Sequence, residues 1–440
     1  MTLPVDLDPA FQPPPAREVL KQPTRPRLLD VLGPGLITGA SDDDPSGIAT
    51  YSQAGAQFGY NLGWVMLFSW PLMCAIQEIS ARIGRVTGRG IAGNLKRHYS
   101  GKLLGGIVAL LVVANTINLG ADLGAMAAAV KLMIGGPAPL YIAGFAALSV
   151  GLEVFVRYTR YVSVLKWLTL SLFAYVGVAL SVPVPWATVG YHLLVPDISL
   201  KPAYLTVVVA LLGTTISPYL FFWQAEQEVE DCKERLGAWP LARAPLQAST
   251  EFRRIRIDTV VGMALSNLVA LFIILSTAAT LHAHGVTDIQ TSSQAAEALR
   301  PIAGQFVFLI FGLGIIGTGL LALPVLAGSS AYALGEAAGW HVGLARKARR
   351  ARGFYTTIAV ATLVGAGLNF TPLDPVKALF WSAVINGVVA VPAMVTMMML
   401  VRNRTVMGDF TLPPWLTGLG WLATGVMSLA AIGMFATWGA

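Results

Sequence analysis

The chain has 440 residues, of which 55% are hydrophobic and only 12% are charged, and its mean hydropathy is +0.65. A water-soluble protein carries about twice that charged fraction, so the composition excludes a soluble globular protein. Apolar runs long enough to cross a bilayer recur along the chain, which predicts an all-α polytopic membrane protein whose partner is the lipid bilayer. The formal net charge of +7 then reflects membrane topology, and no nucleic-acid partner is predicted.

Residues 1–29 are polar and rich in proline, and they lack the apolar stretch of a secretory signal. We predict that they form a disordered cytoplasmic tail. The apolar segments that follow predict eleven membrane spans. Their approximate limits are 31–57, 60–83, 103–132, 138–157, 161–185, 202–225, 258–282, 305–335, 353–370, 376–401 and 415–437.

The basic residues concentrate in alternate loops. Most lie in the tail or after even-numbered spans, whereas the alternate loops hold only Lys201, Arg300 and Lys377. Lys and Arg are enriched in cytoplasmic loops. We therefore predict a bacterial-type inner (plasma) membrane protein with a cytoplasmic N-terminus.

The first span is interrupted near its middle by residues 42–47, with the sequence Asp-Asp-Asp-Pro-Ser-Gly. Proline removes an intrahelical hydrogen bond, and Ser and Gly disfavour helix, so we expect two half-helices. Non-helical backbone at membrane depth requires burial in protein or a wet cavity, and each ionised carboxylate there costs about 3 kcal/mol or more. Because a cation offsets this cost, we predict that Asp42, Asp43 and Asp44 bind a divalent metal cation.

The sixth span is interrupted in the same way, by Thr214, Ser217 and Pro218 among apolar neighbours. Paired interruptions at matching positions indicate a transporter site at the midplane of the membrane. If spans one to five and six to ten are repeats, residues 30–185 and 202–402 form two five-helix units, and the second is inverted because five is odd. This is a LeuT-type inverted 5+5 repeat, with residues 403–440 contributing an eleventh helix.

The sequence resembles the NRAMP family of divalent metal transporters over nearly its whole length after the tail. The matching motifs are Gly33-Pro34-Gly35, Asp44-Pro45, residues 53–60, Gln77, residues 80–82 and 84–88, Leu212-Gly213 with Pro218, and Ala327-Gly328. The resemblance implies a secondary transporter with metal ligands at both helix breaks, and it implies no cofactor. We also expect a monomer.

The departures from the family motifs bear on the substrate. The family's first-span Asn ligand is Gly47 here, its sixth-span Met is Ser217 and its His is Tyr219, while Thr214 takes the position of the carbonyl ligand. A thioether favours manganese, iron and softer metals, whereas magnesium retains several waters on a few oxygen ligands. The sequence is therefore similar to the NRAMP-related magnesium branch, which also transports manganese. Asn386 in span ten, where the family has a polar ligand, is a further candidate.

Proton coupling is predicted to be weak or absent. No histidine falls inside the transport spans, apart from His282 at the end of one span. The third span carries Asn115, Asn118 and Asp122 instead of the family's pair of acids. Asp122 could titrate, or it could be satisfied by polar neighbours.

The other acidic residues have structural interpretations. Glu78 and Glu153, late in their spans, could line an inner vestibule, but they are expected to snorkel or to pair with Arg82 or Arg157. Residues 226–231 are expected to be a solvated acidic loop opposite Arg253 and Arg254.

Several other functions stay open at this point. One is a proton-coupled manganese/iron symporter, which the missing Met and His disfavour. Others are an amino-acid transporter, whose substrate carboxylate three acids would repel, and a non-transporting metal sensor, which would need a larger soluble domain. An enzyme is not predicted, because the chain contains no HExxH, GxSxG or P-loop motif.

Overall fold

The structure is a computed structural model that describes residues 33–156, 171–235, 237–371 and 374–438. The predicted tail, Arg157 and the first half of the predicted fifth span lie outside the described residues. Within these ranges the regular secondary structure is helical. The α-helices, in chain order, are α1 (Pro34–Asp42), α2 (Pro45–Phe58), α3 (Gly63–Thr87), α4 (Ile91–His98), α5 (Gly101–Ile134), α6 (Ala138–Phe155), α7 (Phe173–Ser181), α8 (Trp186–Leu194), α9 (Pro202–Thr215), α10 (Pro218–Glu234), α11 (Ala248–Thr280), α12 (Ser292–Glu297), α13 (Arg300–Ala303), α14 (Val307–Ala338), α15 (Arg352–Leu368), α16 (Pro375–Arg402), α17 (Arg404–Met407) and α18 (Pro414–Ala436).

The first predicted span is two helices, as its sequence predicts. Helix α1 ends at Asp42, and α2 begins at Pro45. Pro45 suits the first helical position because the N–H it lacks would have no partner there. Asp44 is the N-cap, and its side chain accepts a hydrogen bond from the Gly47 N–H at 2.7 Å. The sequence thus encodes both the break and the restart locally.

The second predicted break is also present. Helix α9 ends at Thr215, and α10 begins at Pro218 after the N-cap Ser217. Helix α10 then continues to Glu234, well beyond the predicted end of the span at residue 225. Both interruptions therefore consist of two non-helical residues followed by a proline.

Close glycine contacts hold the broken helices against their neighbours. Gly39 of α1 lies so near the backbone of Gly262 in α11 that a Cβ atom at either position would collide with the other helix. Gly213 of α9 packs in the same way against Gly387 of α16. Small residues let helix backbones approach closely in membrane proteins, and here they hold both broken helices against their neighbours.

Seven helical segments in the described chain are long and apolar enough to cross a membrane, by length and composition. The first span is divided, α15 has 17 residues, α3 carries polar Gln77 and Glu78, and the fifth span is only partly described. The all-α polytopic fold is confirmed. The count of eleven spans and the repeat limits 30–185, 202–402 and 403–440 stay predictions.

Candidate metal site

Asp44 is the centre of a hydrogen-bonded cluster at the first helix break. The residue is 2% exposed. Its Oδ1 accepts from the Gly47 N–H, while its Oδ2 accepts from Asn118 Nδ2 of α5 at 3.0 Å and from the Tyr219 hydroxyl of α10 at 3.2 Å. These donors from three helices fix the orientation of the carboxylate. Asn118 was not among the predicted site residues.

Asp42 and Asp43 share a single donor. The Ser266 hydroxyl of α11 lies 2.5 Å from Asp42 Oδ2 and 3.3 Å from Asp43 Oδ1, but it has one hydrogen to donate. Asp42 Oδ1 has no hydrogen-bond partner among the described residues. Both acids are buried, with 1% and 4% exposure, so their charge is poorly compensated by the protein.

Asp122 adds a fourth carboxylate beside the break. It is fully buried on α5, close to the Asp44 carboxylate and the Ser46 backbone, and neither of its oxygens has a hydrogen bond of good geometry in the described chain. Whether Asp122 titrates or is satisfied by polar neighbours therefore stays a prediction. Asn115, Asn118 and Asp122 are spaced so that they share one face of an otherwise apolar helix. From this pattern the sequence could have predicted that α5 lines the metal site.

The second break contributes hydroxyl and carbonyl oxygens. The Ser217 hydroxyl lies 2.5 Å from the Gly213 carbonyl and 2.9 Å from the Thr214 carbonyl, and it keeps lone pairs free to accept or ligate. Tyr51 of α2 lies near both Thr214 and the three aspartates of the first break. The C-terminal ends of α1 and α9, at the two breaks, carry partial negative charge, which favours a cation.

Gly47 and Asn386 were also predicted as site residues, but neither contributes a side chain to the hydrogen-bonded cluster around Asp44. A Cβ at Gly47 would lie 3.1 Å from the Asp42 carbonyl and 3.4 Å from Asp44 Oδ1, so a ligating side chain here needs the break to shift. Asn386 is 2% exposed, and its Oδ1 lacks a partner in the described chain. It neighbours Gly387, which packs on α9, but no hydrogen bond joins it to Asp44 among the described residues.

The four buried carboxylates have no counter-charge from the described residues. Within the described ranges no Lys or Arg forms an ion pair with Asp42, Asp43, Asp44 or Asp122. Burying an unpaired charge costs several kcal/mol. The acids are not arranged as a preformed cage either, since no group of three His, Cys, Asp or Glu in the described residues could hold a metal ion by side chains alone. A cation held at this break would therefore take its remaining ligands from backbone oxygens or water.

Several ionic residues elsewhere do form ion pairs. Glu78 contacts Arg82 at 2.6 Å, which confirms that predicted pairing. The predicted solvated acidic loop at residues 226–231 is wrong, because α10 continues through it and buries Glu226 and Glu228. Glu228 pairs there with Arg254.

A cavity of about 600 Å³ lies along α2 beyond the break, lined by Gln53, Gln57, Asp288 and Lys377 among others. A much smaller cavity, of about 20 Å³, is lined by Pro45 and its neighbours, and it has room for about one water. The larger cavity has several polar residues in its lining, while the acids themselves are enclosed.

Comparisons with known proteins agree with this architecture. Residues 35–437 match the family described as natural resistance-associated macrophage protein-like. A divalent metal cation transporter MntH from Burkholderia ambifaria is 26% identical over 395 residues, which cover 88% of this chain and 83% of that protein. MntH from Klebsiella pneumoniae subsp. pneumoniae is 26% identical over 409 residues, covering 91% and 92%. These relatives are named as transporters, in agreement with the prediction that the chain is not an enzyme.

Solved structures give the same fold. The Eremococcus coleocola manganese transporter, in complex with an aromatic bis-isothiourea substituted compound, superimposes with a TM-score of 0.73 at 17% identity, covering 98% of this chain and 91% of that one. Mhp1, a nucleobase-cation-symport-1 family transporter, gives 0.56 at 14% identity, covering 92% of each chain. The likeness to both confirms the predicted LeuT-type fold.

Proposed function

The chain belongs to the natural resistance-associated macrophage protein-like (Nramp) family, and from that premise we propose that it transports divalent metal cations by alternating access. The observation that carries the proposal is the cluster of four buried carboxylates at the first helix break with no ion-pair partner in the described chain. Asp44 is the main anionic ligand. The Thr214 carbonyl and Ser217 complete the site from the second break.

The chemistry of these groups favours a partly hydrated hard cation, magnesium or manganese. Every candidate ligand atom at the two breaks is an oxygen, and Ser217 occupies the position of the family's Met thioether. Magnesium dehydrates reluctantly and binds through one or two carboxylates with several waters, which fits acids that form no closed cage. Asp42 and Asp43 then act through water and through their negative field.

Membrane potential is sufficient to drive such an ion inward. A divalent cation that crosses 100 mV gains about 4.6 kcal/mol, twice the value for a single charge. We therefore propose weak or absent proton coupling. The proposed orientation has the N-terminus in the cytoplasm, following the basic loops, and the proposed unit is a monomer.

One observation favours a second candidate, a proton-coupled manganese/iron symporter. Asp122 lies beside Asp44 and lacks a hydrogen bond of good geometry in the described chain. A carboxylate in that position could take a proton when the metal leaves. Intraliposomal pH during metal uptake separates the two candidates, because only coupled transport acidifies the lumen in proportion to the metal that enters.

Uptake of magnesium, manganese and calcium into proteoliposomes tests the main proposal. Asp44→Ala should abolish uptake of all three ions while the protein still elutes as a folded species. Asp409→Ala, which removes an exposed carboxylate far along the sequence from the breaks, should leave uptake unchanged. Normal uptake by folded Asp44→Ala would contradict the assignment.

A further inference from the structure

A long apolar groove runs along the outer surface of the bundle between α5, α14 and α15. It consists of two adjoining volumes of about 610 and 680 Å³, which share Val112, Val113 and Leu334 as walls. The groove is separate from the helix breaks, so it belongs neither to the metal site nor to the cavity along α2.

The walls of the groove are exposed on the surface of the helix bundle. Val113 is 58% exposed, and Val360 and Val364 are each 52% exposed. Along α15 the groove extends from Arg352 to Leu368, which is about 24 Å at 1.5 Å per residue. That length is close to half the thickness of a bilayer with its headgroups, about 20–22 Å. The groove therefore has the dimensions of one lipid in one leaflet.

The mouth of the groove is basic and aromatic. Lys96 lines one volume, and Arg352 and Trp340 line the other. The Lys96 ammonium lies near Gly339 at the C-terminus of α14, and Trp340 is 45% exposed. Trp is enriched where a membrane protein passes the headgroup layer. The orientation proposed above places this end of the groove at the cytoplasmic leaflet, which is the anionic one.

The two basic residues at the mouth have no carboxylate partner among the described residues. In the described part of the chain neither Lys96 nor Arg352 forms an ion pair, whereas Arg82 and Arg254 are paired with glutamates. Two exposed cations above an apolar groove complement a molecule with an anionic head and hydrocarbon tails.

We propose that this groove binds an anionic phospholipid of the inner leaflet. The phosphate lies between Lys96 and Arg352, Trp340 packs at the level of the headgroup, and the acyl chains lie along Val113, Leu334 and Val364. The site is independent of the proposed transport function, and lipid occupancy can be measured without any metal.

Quenching of tryptophan fluorescence by brominated lipid tests the headgroup specificity. The full chain is reconstituted with brominated phosphatidylglycerol or brominated phosphatidylcholine, and the contribution of Trp340 is obtained by difference from Trp340→Phe. The wild type should show preferential quenching by phosphatidylglycerol. The double variant Lys96→Gln/Arg352→Gln should lose about tenfold or more of that preference, since each basic residue near the surface contributes roughly fivefold.

A matched control keeps this result interpretable. Arg402→Gln/Arg404→Gln removes the same charge from exposed positions outside the groove, and it should retain the preference. Equal loss of the preference in both double variants would overturn the proposal, because lipid binding would then depend only on the overall charge of the protein. A retained preference in Lys96→Gln/Arg352→Gln would also overturn it, because the two basic residues would then not contribute to binding.

The acyl-chain half of the site has its own pair of variants. A Cβ at Gly105, which lines the groove, or at Gly106, which does not, would meet no atom within 4 Å, so leucine at either position is compatible with the fold. Gly105→Leu should reduce co-purified phosphatidylglycerol in native mass spectrometry, and Gly106→Leu should not. Equal occupancy in the two variants contradicts the site. If the wild type is instead a dimer that Gly105→Leu dissociates, the groove is an interface between copies, which also overturns the proposal.

Discussion

The hydroxyl of Tyr219 donates a hydrogen bond to Oδ2 of Asp44 at 3.2 Å. The two residues are the first-turn residue of one half-helix, α10, and the N-cap of another, α2. The same hydroxyl lies 3.3 Å from the Ser41 carbonyl. A movement of either break relative to the other must therefore change this contact, which couples the two halves of the site.

Tyr219→Phe should weaken metal binding by about tenfold, because groups that orient a ligand typically contribute 10–100-fold to affinity. The ring still fills its buried position, so folding should be unaffected. Isothermal titration of manganese into detergent-solubilised protein measures the change. Tyr191→Phe, at a position that is 59% exposed, is the control. An unchanged affinity in Tyr219→Phe would remove Tyr219 from the site.

Asp122→Asn should lower the apparent affinity for metal about fivefold to tenfold, because it removes one negative charge near Asp44 from a site of low dielectric. If transport is uncoupled, intraliposomal pH should stay constant during uptake in both the wild type and the variant. Stoichiometric acidification in the wild type that disappears in Asp122→Asn would establish the proton-coupled alternative.

Ser217→Met should shift the preference from magnesium toward manganese or cadmium, because a thioether is a soft ligand. Ser217 is 1% exposed, so the longer side chain must be accommodated within the break. Ser217→Ala separates the loss of the hydroxyl from the gain of the thioether, since it removes the hydroxyl without adding sulfur. Competition between cadmium and magnesium in proteoliposome uptake gives the ratio of the two uptake rates. The same ratio in all three proteins would mean that Ser217 does not contact the ion.

Asp258→Asn should lower the free energy of unfolding by about 1–2 kcal/mol, the range expected for a charged group at a helix N-terminus. The Asp258 carboxylate accepts from the N–H groups of Gly33, Gly35 and Leu36, at 2.9, 2.7 and 3.0 Å. It is thus the cap of α1, supplied by α11. Thermal unfolding in detergent measures the loss. Glu297→Gln, which breaks an exposed ion pair with Arg300, should have little effect on stability. Equal loss of stability in Asp258→Asn and Glu297→Gln would rule out a specific cap at Asp258.

Gly39→Ala should cost about 1–3 kcal/mol of stability, as overpacking does, because the new methyl group would collide with the Gly262 backbone. Gly144→Ala is the matched control, since a Cβ at Gly144 of α6 would meet no atom within 4 Å. The two melting temperatures in detergent should differ, with Gly39→Ala the lower. Equal melting temperatures would show that α1 can move away from α11 at no cost.

Local sequence determined the membrane class, the two helix breaks and the acids at the first of them. Proline, glycine and serine act on the backbone within one turn, and an N-cap aspartate binds an N–H three residues away, so these features follow from neighbours in the chain. The concentration of Lys and Arg in alternate loops is likewise read directly from the sequence. The candidate ligands Asp44, Thr214 and Ser217 follow from the same local rules together with the family resemblance.

Tertiary structure alone decided which groups surround those acids. Asn118 and Ser266 reach the aspartates from helices 74 and more than 220 residues away in sequence, and Asp258 caps α1 across a similar separation. Such contacts depend on how each helix is rotated and how deeply it packs, and those in turn depend on glycine contacts such as Gly39 with Gly262. The burial of Glu228 against Arg254 has the same origin, because a polar helix end is solvated or buried according to the helices packed around it.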